Sequence, residues 1–150
     1  MNLIKMSLVS TLFLLLFPWI NGVGADFVFS SQLKNPEREL KVNVKNGFFT
    51  YIQALENGSV RKNRGLYGQF MDRAYYLSLD MEYLQVVDYN DNDYKRDLIN
   101  VNNRFFSTRI EHLKANEYLL HYPEEVPGEK EQPLKVTING SLNLFDRLSK

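Results

Sequence analysis

Apolar and polar residues alternate through much of this chain. From Leu40 to Lys45 the apolar positions Leu40, Val42 and Val44 interleave with Lys41, Asn43 and Lys45, the period of a half-buried strand. Asn46-Gly47 follows, a strong hairpin signal, and Phe48 to Leu55 returns as a second strand. Asp26 to Leu33 is an earlier strand, stopped by Asn35-Pro36. The organising stretch runs from Arg64 to Tyr89. It predicts strands at Leu66–Phe70 and Tyr75–Leu79 joined by a turn at Met71 to Ala74, then a third at Leu84–Tyr89. Gly65 and Gly68 predict a bulge, a bend or a close backbone approach on the first of these. Tyr75, Tyr76, Leu79 and Tyr83 have partial helical spacing, so a helix over Asp72–Leu84 is the alternative to the preferred strand. Val60 to Arg64 reads as a basic loop or a weak edge strand.

Further on, Leu98–Val101 and Arg104–Ile110 read as strands, with Phe106, Thr108, Ile110 and His112 on one face. Glu117 to Tyr122 follows the turn at Lys114 to Asn116. Pro123 to Pro133 reads as a long charged loop. Leu134–Ile138, Asn139-Gly140 and Ser141–Phe145 predict a closing hairpin. Eight to ten short strands at roughly 8–12-residue spacing predict an all-β domain, a sandwich or a small antiparallel barrel or part-barrel.

The first 25 residues break the pattern. Lys5 precedes an apolar run from Met6 to Ile20, and Val23-Gly24-Ala25 offers small residues of the kind signal peptidase cuts. A bilayer span takes about 20 apolar residues. The segment therefore reads as an export signal in preference to a retained anchor, and in either case residues 26–150 form the domain and lie outside the cytoplasm. That domain carries 17 basic and 18 acidic residues once Lys5 is set aside. It has no basic field for nucleic acid. The chain has no cysteine, which excludes a disulfide framework, a thiol nucleophile and a cysteine-bound metal.

Candidate chemistry is sparse. Counted from Asp88, the acidic run lacks the glycine and the bidentate glutamate of a calcium loop: Asp93 and Ile99 stand at the sixth and twelfth positions. No metal site and no cofactor are expected. His112 and His121 lack a third ligand, and are candidates for acid sensing. Glu124 and Glu125 lie in the proline-rich loop, poorly placed for acid–base work. No nucleophile elbow or phosphate-binding glycine loop occurs, and no enzyme activity is expected. Phe48, Tyr51, Tyr67, Phe70, Tyr75 and Tyr76 are candidates to line a ligand cavity, with ordinary core packing as the alternative. Asn57-Gly58-Ser59 and Asn139-Gly140-Ser141 fit the N-glycosylation pattern, which matters only in a eukaryotic secreted protein.

At Gly68 to Leu79, GQFMDRAYYLSL, the chain resembles a segment of ToxS-like proteins. Gly68, Phe70, Tyr76, Leu77 and Leu79 occupy the family positions, with Phe70 where the family has tryptophan. VtrC and the pair PsaF and MyfF are of the same general type. The resemblance implies a lipocalin-like barrel or part-barrel in the periplasm that binds a membrane-bound transcriptional activator of virulence genes. It would protect that activator from proteolysis and help it respond to a signal such as bile salt or acid. A stand-alone lipocalin-like carrier of a bile salt, a fatty acid or another small hydrophobic ligand is the second expectation. A secreted structural or adhesion subunit is the third.

Overall fold

In the computed structural model, which describes residues 3–34, 37–54, 58–87, 104–121 and 133–149, nine strands share one sheet. Helix α1 (Leu3–Gly22) leads into β1 (Asp26–Lys34), β2 (Glu37–Lys45), β3 (Phe48–Ala54), β4 (Val60–Phe70) and β5 (Arg73–Gln85). Then come β6 (Phe105–Lys114), β7 (Glu117–His121), β8 (Leu134–Thr137), β9 (Asn139–Ser141) and a short helix α2 (Leu144–Leu148). The order across the sheet is β8-β7-β6-β5-β4-β3-β2-β1-β9. β8 and β9 are consecutive in the chain yet stand at opposite ends of that order. Only Ile138 separates them, so the sheet must curl until its ends meet. The protein is therefore a small all-β barrel, nearly closed, with an apolar helix before it.

Local chemistry explains most of the elements. Asn46 and Gly47 both have positive φ, 52° and 79°, as a two-residue hairpin turn with the right twist requires, and Lys45 pairs with Phe48. The β4–β5 turn is tighter than the sequence suggests: Phe70 pairs directly with Arg73 across Met71 and Asp72. β5 is one continuous strand rather than a helix or two shorter strands. Its register against β4 slips between Arg64 and Gly65 and again between Val60 and Arg61, and such bulges bend a sheet enough to close it. The backbones are so close at Gly65 that a Cβ there would lie 1.9 Å from the Leu77 carbonyl oxygen.

Two readings of the sequence are corrected. Val60–Arg64 is neither a loop nor an edge: it is half of β4, paired with β3 and β5. Arg61 and Asn63 turn inward, while Arg64 and Lys62 reach Glu82 on β5 at 2.7 and 3.0 Å. Their hydrogen bonds, and then their charges, hold the Glu82 carboxyl below its usual range. The closing hairpin does not form. Asn139-Gly140 is itself strand, paired with Val28 and Phe27 of β1. Gly140 has φ +125° and passes so near Asp26 that a Cβ would meet its carbonyl oxygen at 1.9 Å. Gly140 thus serves the barrel's closure rather than a turn. Beyond it Asn143 caps α2: its Oδ1 accepts from the Asp146 backbone N–H at 2.9 Å, and Asp146 Oδ2 accepts from the Leu142 N–H at 2.8 Å. This reciprocal cap starts a helix where a strand was expected.

The end of the barrel that carries α1 and the β4–β5 turn, its lower end, is filled by aromatic rings. Tyr67, 1% exposed, meets Phe27 edge-on at 5.4 Å and Tyr76 at 5.4 Å. Tyr76 stacks on Phe106 at 4.7 Å and meets Phe49 edge-on at 5.3 Å. Each such pair adds about 0.5–1.5 kcal/mol beyond simple burial. Burial pushes both tyrosine phenols well above their ordinary range. Gln69 gathers the polar groups at this end. Its side-chain oxygen accepts from Asn143 Nδ2 at 3.0 Å and from the Tyr67 hydroxyl at 3.4 Å. Its backbone carbonyl accepts from Asn21 Nδ2 of α1 at 3.0 Å.

Candidate functional site

The curl of the sheet leaves one seam. β1 pairs with β2 along Asp26–Lys34, but on its other side it pairs with β9 only at Asp26, Phe27 and Val28. β8 pairs with β7 from Leu134 to Thr137. The chain crosses from one edge to the other at Ile138, whose N–H donates to the Asn116 carbonyl at 2.9 Å. Among the described residues, β1 from Phe29 onward therefore has no strand on its outer edge, and it faces the free edge of β8. A cleft of about 630 Å³ lies along this seam. Phe29 and Val136, both buried in the core, form its apolar part, with Val28 beside them. Ser30, Ser31, Thr137 and Asn139 supply hydroxyl and amide groups.

Two lysines give the seam its charge. Lys41 stands opposite Ser30 in the β1–β2 register and is exposed. Lys135 Nζ lies 3.0 Å from Glu117 Oε1. That hydrogen bond, and then the charges of Lys135 and Lys114, hold the Glu117 carboxyl below its usual range. Glu117 thus faces two cations, Lys135 and Lys114, and Lys41 lines the cleft as well. An open strand edge offers backbone donors and acceptors in register, and the neighbouring lysines favour a ligand that carries carboxylates.

A second polar group sits inside the barrel, above the rings. Arg61 is 6% exposed, and its Nη2 donates to Gln53 Oε1 at 3.0 Å; the Tyr51 hydroxyl donates to the same oxygen at 2.8 Å. Asn63 is buried beside them on β4. A buried cation is costly unless hydrogen-bonded, and here Gln53 Oε1, which also accepts from the Tyr51 hydroxyl, accepts from it. The basic run VRKNR was the available signal: alternate positions of a strand send Arg61 and Asn63 to one face and Lys62 and Arg64 to the other.

The six aromatic candidates do not share one cavity. Tyr67 and Tyr76 lie in the packed core. Tyr51 packs against that core and belongs to the Arg61 group. Phe48 is exposed on the outer face, and Tyr75 stacks on the exposed Phe105 at 6.2 Å. Phe70 meets Phe17 of α1 edge-on at 5.7 Å. The two histidines share the β6–β7 hairpin but not a site. His112 Nε2 is 2.8 Å from the Ala115 carbonyl, and its ring leans on Tyr118. His121 Nε2 is 3.2 Å from Glu111 Oε2, a contact that becomes an ion pair when the imidazole is protonated. Of the two glycosylation patterns, Asn139 is exposed on β9, and Ser59 is buried with its Oγ accepting from the Val87 N–H. Asn57, the Asp88–Asp93 run, Leu98–Val101 and the Glu124-Glu125 pair lie outside the described residues. Among the described residues no cluster of three metal-ligating side chains converges.

Fold and site together define a class: a small antiparallel barrel with one unzipped seam, preceded by an apolar helix. The chain matches no protein-family model, and no curated protein is similar to it.

Proposed function

We propose that this chain is a non-enzymatic accessory protein, exported to the periplasm, that holds an extended segment of a partner protein along the free edge of β1. The observation that carries the reading is that edge: among the described residues it lacks a second strand from Phe29 onward, and it borders a cleft lined by Lys41 and Lys135. An added strand gains main-chain hydrogen bonds, alternate side chains reach the cleft, and acidic side chains meet the lysines. The resemblance at Gly68–Leu79 supplies the partner class, the periplasmic part of a membrane-bound transcriptional activator of virulence genes. Binding only its folded form would stabilise that activator by mass action.

The test is a pull-down of the tagged full chain from membranes, read by mass spectrometry beside a Lys41→Glu, Lys135→Glu variant. The expected result is a single-span protein with a cytoplasmic DNA-binding domain, depleted in the variant and degraded faster when this chain is absent. Recovery of the bait alone would overturn the reading.

A second reading rests on the same cleft. Its volume falls in the range of about 300–1,000 Å³ usual for small-molecule sites, and apolar Phe29 and Val136 line it together with the two lysines. An anionic amphiphile such as a bile salt or fatty acid fits that arrangement. Saturable binding of taurocholate or oleate to the purified protein, without a protein partner in the pull-down, would favour it.

A further inference from the structure

Helix α1 has two parts. Lys5 to Leu16 are all exposed, and eight of these twelve residues are apolar. Phe17 to Gly22 are docked on the barrel. A Cβ on Gly22 would lie 2.2 Å from the Tyr67 carbonyl oxygen, and one on Gly68 would lie 3.0 Å from Pro18 and Trp19 atoms, so helix and strand touch at both glycines. Asn21 is 6% exposed and bonded to Gln69. Ala25 is fully buried, and its carbonyl accepts from the Asn46 N–H at 2.8 Å. The residues before Asp26 are therefore built into the barrel's lower end.

Around the point where α1 leaves, the barrel presents a ring of exposed apolar side chains. Met71 is 79% exposed at the tip of the β4–β5 turn, and Phe145 and Leu148 of α2 are 62% and 75% exposed. Phe17 ties these places together, meeting Phe70 beside Met71 at 5.7 Å and Phe145 at 6.3 Å. Val23, 56% exposed, follows the helix directly. Helix length fixes what this ring can meet. The 20 residues of α1, at about 1.5 Å each, match the roughly 30 Å hydrocarbon core of a bilayer. That match needs the docked turn as well as the exposed part, so a spanning α1 brings the barrel's lower end to the lipid head groups.

We propose that α1 stays on the folded protein as an anchor, and that Val23, Met71, Phe145 and Leu148 form a collar seated in the bilayer surface. Trp19 lies against Gly68 in the docked part of α1, and tryptophan is enriched at membrane–water interfaces. The partner is a phospholipid surface, and the collar fixes the barrel's orientation on it.

The chain has no cysteine and a single tryptophan, which makes the test direct. Full-length Met71→Cys, Phe145→Cys and Leu84→Cys variants carry an environment-sensitive fluorophore in phosphatidylcholine–phosphatidylglycerol vesicles. Leu84 is exposed near the far end of β5, about 36 Å along the strand from Arg73 at the usual strand rise. The expected result is a blue-shifted emission and several-fold stronger quenching by brominated lipid at positions 71 and 145 than at 84, together with quenching of Trp19. Labels at all three positions responding alike would overturn the collar. Intact-mass analysis of the membrane-purified chain should find α1 present; a folded, soluble protein beginning at Asp26 would overturn the anchor.

Discussion

The barrel's lower end and its β1–β8 seam belong to one sheet, yet they are opposites. At the lower end the core is covered by α1 and tied to α2. Tyr67 fills the interior, Gln69 links barrel, α1 and α2, and Gly22 lets the helix lie on the strand. At the seam β1 runs past Val28 with no strand on its outer edge among the described residues. The plugged end uses large rings and shared hydrogen bonds, which hold shape. The seam uses serines, a threonine and lysines, which bind water and can exchange it for a ligand. Stability therefore concentrates where the helix docks, and recognition has room where the sheet stays unzipped.

The comparison breaks most visibly at Tyr67. Tyr67→Ala should cost about 3–5 kcal/mol, the range for deleting a buried aromatic, and urea unfolding of the detergent-solubilised chain, followed by Trp19 fluorescence, would measure it. Gln69→Leu keeps the volume but leaves Asn143 without its acceptor, and should cost about 1–3 kcal/mol in the same assay. At the seam, Ser30→Val should change stability by no more than about 0.5 kcal/mol while altering partner capture. A larger loss would mean that the seam, too, is part of what holds the barrel together.

The smallest effect sharpens the electrostatics. Glu117 has a folded-state carboxyl below its ordinary value because Lys135 hydrogen-bonds it. Its contribution is therefore complete above about pH 4.5, the ordinary carboxylate range, and is lost as pH falls through the depressed folded value. Melting curves between pH 6 and pH 3 should show a slightly steeper acid loss for the wild type than for Glu117→Gln. Identical slopes would show that the pair contributes nothing to the fold.

How far the sequence was legible follows from what each segment had to do. The alternation at Leu40–Lys45 and the Asn46-Gly47 turn are local signals, and the structure reproduces them because nothing distant competes. The glycines at 65 and 68 were readable as close approaches, though not what approaches them: a strand at one and α1 at the other. Gly140 carries the same Asn-Gly signature as Gly47, yet it serves a pairing with β1, which lies at the other end of the barrel domain. Only the three-dimensional closure distinguishes the two. VRKNR was misread because a buried arginine defeats any pattern that equates charge with surface. The seam itself was invisible: no residue in it is unusual, and its character comes from where β8 stops and β9 begins.

Ile138, the single residue between β8 and β9, has a consequence for how the molecule assembles. The pairing it makes possible joins residue 26 to residue 141, so the barrel's last ladder must wait for its first and last strands to find each other. Contacts that distant carry a high loop-closure cost and slow folding. The chain is delivered in order from its first residue, so β1 must persist with a bare edge until the end of the chain arrives. Over that interval the nascent protein is a curled ribbon, open to strand exchange along the very line that stays partly unzipped afterwards.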